Sequence, residues 1–127
     1  MTVLVDSDIL IEVSRGKNAD IVSAWMELSK SDAAVLFSPV SVAELWAGAR
    51  PNEHDALNYL FRSLTCAPID AEVGRQAGGY LRKYRQSHGV EVADALIAAC
   101  AVTNGAELWT RNRKRYPMKE ISFFAET

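Results

Sequence analysis

The chain has little of what anchors several common architectures. Among its 127 residues are two cysteines, two histidines and four prolines. Cys66 and Cys100 stand far apart in apolar runs, without the close pairing of a structural zinc site. They are expected as buried free thiols of a reducing compartment, not as a disulfide framework. His54 and His88 lie in polar surroundings and read as solvated. No apolar run approaches the roughly 20 residues a membrane span needs, and Met1 leads into a strand-like segment, not a signal peptide. A soluble, cytoplasmic protein with no membrane contact is expected. Neither sign of charge dominates, since 14 Lys and Arg face 16 Asp and Glu for a net charge of -2. Global charge therefore does not mark a nucleic-acid binder.

Linkers, repeats and low-complexity segments are missing too, and the length suits one domain over residues 1–127. A chain this long buries roughly two thirds of its unfolded surface and needs no staples. Short apolar runs at 2–5, 34–37, 67–69, 107–109 and 120–124 predict five strands, the third weakened by Pro68. Helical stripes lie between them. Ile9, Leu10 and Val13 mark a short one, and further helices are expected over 19–30 and about 42–49. Leu57, Leu60, Phe61 and Leu64 follow helical spacing, as do Val73, Ala77, Tyr80, Leu81 and Tyr84. Residues 92–103 form an alanine-rich helix stopped by Asn104-Gly105. Alternating strands and helices predict a three-layer α/β/α fold with a five-stranded parallel sheet.

Against that frame, the acids are informative. Asp6, Glu44 and Asp94 each fall where a strand has ended or a helix begins, and Asn112 follows the apolar pair Leu108-Trp109. In a parallel sheet such positions share one edge, where ligands bind. Gathered carboxylates repel unless a cation sits among them, and oxygen-only sites suit Mg²⁺ or Mn²⁺. Each acid also has a structural use. Asp6 or Asp8 can cap a helix, Ser41 and Glu44 have the spacing of a capping box, and Asp94 suits a helix dipole. Asp8 is equally a cap or a ligand, and Glu91 reads as surface. Arg111, Arg113, Lys114 and Arg115 form the densest basic run. It is a solvated loop or a phosphate-backbone contact. Trp25 and Trp46 read as core, with an apolar groove as the alternative.

Taken together, these segments resemble the PIN-domain family. VDSDILIEV resembles its first motif, with Asp6 as the acid; SVAELWAGA the second, with Glu44; VADALIAACA the third, with Asp94. LWTRNRKRYP resembles the last, in which Thr110 and Asn112 complete the site; the fourth position is Asn112, not Asp, and supplies no charge. More narrowly, the chain resembles VapC-type toxins of type II toxin–antitoxin pairs. The resemblance implies one PIN domain over 1–127, RNA cleavage dependent on Mg²⁺ or Mn²⁺, a cognate antitoxin and a toxin homodimer. The metal ligands would be Asp6, Glu44 and Asp94. The antitoxin would lie against Trp25, Met26 and Trp46. Two other readings compete. Asp6-Ser7-Asp8 mimics the D-x-D of haloacid-dehalogenase-like phosphatases, although Ile9 and Leu10 follow where that family expects small residues. Asp6, Asp8, Asp70, Thr110 and Lys119 loosely echo a phospho-receiver, and a non-catalytic PIN-like binding module remains a third form of that idea.

Overall fold

A computed structural model describes residues 1–125. The chain runs β1 (Thr2–Val5), α1 (Ser7–Arg15), α2 (Ala19–Lys30), β2 (Ala34–Phe37), α3 (Pro39–Ala47), α4 (His54–Arg62), β3 (Thr65–Cys66), α5 (Ala71–His88), α6 (Val92–Thr103) and β4 (Glu107–Trp109). Short 3₁₀ turns occupy Pro51–Glu53 and Arg113–Arg115. All strand pairs are parallel, in the order β3-β2-β1-β4.

The expected α/β architecture is present, but the sheet has four strands among the described residues, not five. The segment expected as a fifth strand touches β4 through one parallel bridge, Leu108 to Phe123. Leu108 N donates to Ser122 O at 2.8 Å and Phe124 N to Leu108 O at 2.9 Å, and the ladder ends there. The third strand lies at residues 65–66, just before the predicted 67–69. Pro68 has no amide to donate, so pairing closes with Ala67 N on Phe37 O.

Alternating side chains divide the core. Val3, Val5, Phe37 and Trp109 face a cluster with Ile9, Leu10, Leu28, Leu45, Leu57 and Leu60. Leu4, Leu36 and Leu108 face the opposite cluster, built from Ala95, Ile97, Ala98, Ala99 and Cys100 with Tyr80 and Tyr84 of α5. Strand residues at odd and even positions thus serve two different helical layers. Helix α6 is buried on most of its circumference, and its alanines let it approach the sheet closely. Gly16 and Gly89 end α1 and α5 in the left-handed region, at φ 67° and 66°, where a glycine costs least.

Both cysteines are free as expected, but only Cys100 is buried; Cys66 is exposed on the short edge strand β3. No helix among the described residues is long and apolar enough to cross a membrane.

Candidate active site

The site begins with the register of the central strand. Leu4 pairs with Leu36 and Val5 with Trp109, so Asp6, Ser38 and Thr110 follow side by side at the carboxyl edge. The chain leaves β1 toward β2 and β3, then returns through α5 and α6 to β4 on the other side of β1. Strand order therefore reverses between β1 and β4, which is where open α/β sheets bind ligands. Asp6 and Thr110 flank that gap.

Asp6 is the N-cap of α1 and 5% exposed. Its Oδ1 accepts the Ser7 amide at 2.7 Å. Its Oδ2 accepts two hydroxyls, Thr110 Oγ1 and Tyr116 OH, each at 2.8 Å. The cap and the site are one carboxylate. Asp8 sits one step further along α1 and accepts the Arg111 amide on Oδ2 at 3.1 Å, while its Oδ1 is buried without a hydrogen-bond partner. Burial first, and then the charge of Asp6, push the Asp8 carboxyl up from the ordinary range to about 6.

Asp94 enters from α6. Its Oδ2 accepts the Glu91 amide at 3.2 Å, so the helix dipole and the N-cap both fix it. Burial raises its pKa, and Asp6 adds to the rise; the Glu91 amide and the Arg115 charge pull the other way. Asp8 and Asp94 are thus each close enough to Asp6 to feel its charge. Carboxyls raised by burial and by a neighbouring charge are a mark of functional sites.

Glu44 joins more loosely. It is exposed on α3, and its Oε1 accepts the Ser7 hydroxyl at 2.7 Å, with Ser41 Oγ 2.8 Å from the same hydroxyl. The expected capping box of Ser41 and Glu44 does not form. Pro39 occupies the first turn of α3, so the helix starts earlier and Ser38 caps it, accepting the Val40 amide at 3.1 Å. Glu44 is therefore free of a capping duty and reaches the site through Ser7, the neighbour of Asp6.

The basic run divides into different roles. The Arg111 guanidinium lies 3.9 Å from Glu12. Arg113 covers the Phe123 ring at 4.9 Å and donates to Phe124 O. Lys114 and Arg115 are exposed, and Arg115 is the one whose charge reaches Asp94. Asn112 is half-buried and supplies its amide to Thr110 Oγ1 at 3.0 Å. Tyr116 was not foreseen as a site residue. Only the fold shows its hydroxyl on Asp6. Burial and then the Asp6 charge raise its phenol far above the ordinary value, so it stays protonated and donates.

Of the three groove residues, two come together. Trp25 and Met26 line a cavity of about 530 Å³ with Val13, Val22, Tyr59 and Leu60, between α2 and α4. Trp25 also stacks on Trp109 with centroids 6.2 Å apart. Trp46 stands elsewhere, tilted against His54 at 4.9 Å. The receiver-like reading loses Asp70, whose carboxylate caps α5 by accepting the Val73 amide at 3.0 Å.

The donor set suits a hard cation. Among the described residues no three His, Cys, Asp or Glu side chains form a ready-made metal cluster. The donors are nevertheless all oxygens, the buried Asp8 Oδ1 lacks a partner, and Asp6 Oδ1 carries one hydrogen bond only.

The PIN domain sequence profile matches residues 3–123. The chain belongs to the PIN-domain family. It is 37% identical over 121 residues to ribonuclease VapC10 of Mycobacterium tuberculosis, covering 93% of this chain and 88% of that one. It is 34% identical over 116 residues to ribonuclease VapC19 of the same organism, covering 91% and 92%. In fold it resembles a chain of the VapBC2 structure from Rickettsia felis bound to a promoter DNA fragment, with a TM-score of 0.82, 20% identity and 98% of each chain covered. Family membership makes the phosphatase and receiver readings unnecessary for this PIN domain.

Proposed function

We propose that this PIN domain is the ribonuclease toxin of a toxin–antitoxin pair, an endoribonuclease that hydrolyses RNA phosphodiester bonds with Mg²⁺ or Mn²⁺. The observation that carries the reading is the placement of Asp6 and Asp8 at the β1/β4 reversal, with Asp94 near enough to feel the charge of Asp6 and Glu44 tethered to Ser7. Its likeness to VapC ribonucleases along nearly its whole length supports the same activity. Asp6 and Asp94 would hold the ion, and Glu44 would either join them, directly or through water, or serve as the base. Its chemistry when bound is acidification of a water and neutralisation of charge at the phosphoryl group. The chain supplies the rest. Glu44 is the exposed carboxylate available to accept a proton from attacking water, Thr110 and Asn112 order the edge where the phosphate lies, and Asp94 is fixed by its helix start. Lys114 and Arg115 contact the RNA backbone, helped by Arg111 and Arg113 where Glu12 and Phe123 release them.

A cognate antitoxin fits the cavity between α2 and α4. Half-exposed Met26 and exposed Tyr59 flank Trp25 there, and an amphipathic segment laid in such a groove is a recurring recognition mode. The free toxin would act in the cytoplasm as a homodimer.

The test is RNA cleavage by purified protein with Mg²⁺ or Mn²⁺, EDTA as the blank, and circular dichroism on every variant. Asp6→Asn and Asp94→Asn are expected to abolish cleavage with the fold intact. Full activity in either variant sinks the reading.

A further inference from the structure

Outside the three motif acids, Tyr116 and Thr110 are, among the described residues, the two buried side chains whose hydroxyls touch Asp6, and Tyr116 is the one that no motif assigns. It is 3% exposed, and its hydroxyl lies 2.8 Å from Asp6 Oδ2, the oxygen that Thr110 Oγ1 also reaches at 2.8 Å. An ionised carboxylate offers about four acceptor positions, two on each oxygen. On Oδ2 both are taken by hydroxyls. On Oδ1 one is taken by the Ser7 amide at 2.7 Å. A single acceptor position of Asp6 is left, and it is on Oδ1.

We propose that Tyr116, with Thr110, is a positioning residue that occupies Oδ2 of Asp6 and so makes Asp6 a one-oxygen ligand, through Oδ1. The inference rests on the metal-site reading above and deepens it. Partners that hydrogen-bond a ligating carboxylate fix its orientation and tune its strength as a donor. Tyr116 can do this because the 3₁₀ turn at Arg113–Arg115 brings the chain back over the sheet edge. Tyr116 N bonds Arg113 O at 3.0 Å, and the ring packs in the core cluster on the α5/α6 side. Phenylalanine at this position would fill the same space and lack the donor.

The experiment is calorimetric titration of Mn²⁺ alone into the metal-free full chain, for wild type, Tyr116→Phe, Thr110→Val, their double variant and Asp6→Asn. Removing one such partner is expected to weaken Mn²⁺ binding about tenfold, the lower end of the usual range. Thr110→Val should cost a similar factor, and the double variant less than the product, because both hydroxyls serve one oxygen. Metal-free melting curves read the fold separately. A purely structural role for Tyr116 moves melting and leaves the Mn²⁺ affinity of folded protein unchanged. Affinity within about twofold of wild type in Tyr116→Phe overturns the assignment. If that variant does not fold, Thr110→Val decides by the same criterion. Wild-type protein that binds no Mn²⁺, or Asp6→Asn that binds as wild type does, overturns the metal site itself and this role with it.

Discussion

The two faces of the sheet are packed by different means. On the side of α1 to α4, the core is made of large side chains, among them Leu57, Leu60, Phe37 and Trp109. On the side of α5 and α6 it is richest in alanine, joined by Cys100, Ile97, Met118 and three tyrosines. The first face tolerates gaps at its rim, and there Trp25, Met26 and Tyr59 border an open cavity. The second face is closed where α6 covers the strands, with Ala95, Ala98, Ala99 and Ala101 fully buried. Asp94 rides on that closed helix, held by its own N-terminal turn, while Glu44 stands on the more open face and is reached through Ser7. The division separates a fixed part of the site from an adjustable one.

The sharpest way to break this contrast is to change volume on each face in opposite directions. Leu57 is 1% exposed in α4, and Leu57→Ala should cost about 2–5 kcal/mol through lost burial and the cavity left behind. On the other face the damaging change is enlargement. Ala98 is fully buried, and Ala98→Leu should cost about 1–3 kcal/mol by forcing α6 off the sheet. Denaturant unfolding measures both. If Ala98→Leu is neutral, the closed face has slack and Asp94 is not rigidly placed.

A smaller effect belongs to the site itself. Asp8 is raised to about 6 by burial and by Asp6, whereas its unfolded value is near 3.8. The folded state therefore binds the extra proton between those values. Its stabilising contribution is complete below pH 4 and is lost as pH rises through 6. In EDTA, wild-type stability should fall over that window, and Asp8→Asn should flatten the slope, leaving the share of Asp94, and gain about 1–2 kcal/mol at pH 7.5, after allowance for the partial exposure of the carboxyl. A melting temperature with the same pH dependence in both proteins refutes the burial argument.

Much of this was legible from residues alone. Buried strands at 2–5 and 34–37 appear where continuous apolar runs predict them, because β1 and β2 are covered on both faces. The positions of Asp6 and Asp94 follow from the strand-to-helix rhythm. What the sequence does not show depends on tertiary closure or on a choice between neighbouring caps. Ser38-Pro39 signals the start of α3 three residues earlier than Ser41, and heeding it frees Glu44 from a cap. The fifth strand fails because one bridge satisfies residues 122–124 without a ladder. Tyr116 cannot be assigned from spacing at all, since its partner lies 110 residues away.

The smallest expected effect tests whether the outer surface of α5 is solvent in the free protein. Gly78 lies in the interior of α5, is exposed, and has nothing within 4 Å of where a Cβ would project. Its φ is not in the left-handed region, so alanine fits the local backbone without strain. Glycine in a helix interior costs about 0.5–1 kcal/mol relative to alanine, through the freedom it restores to the unfolded chain. Gly78→Ala should therefore raise the melting temperature by roughly 2–5 °C for a domain of this size. The closed α5/α6 face would then be a property of its inner side only, with the outer side unpartnered. A melting temperature that falls instead means that the added methyl meets something in solution, and the sharp contrast between an open and a closed face would need redrawing on α5.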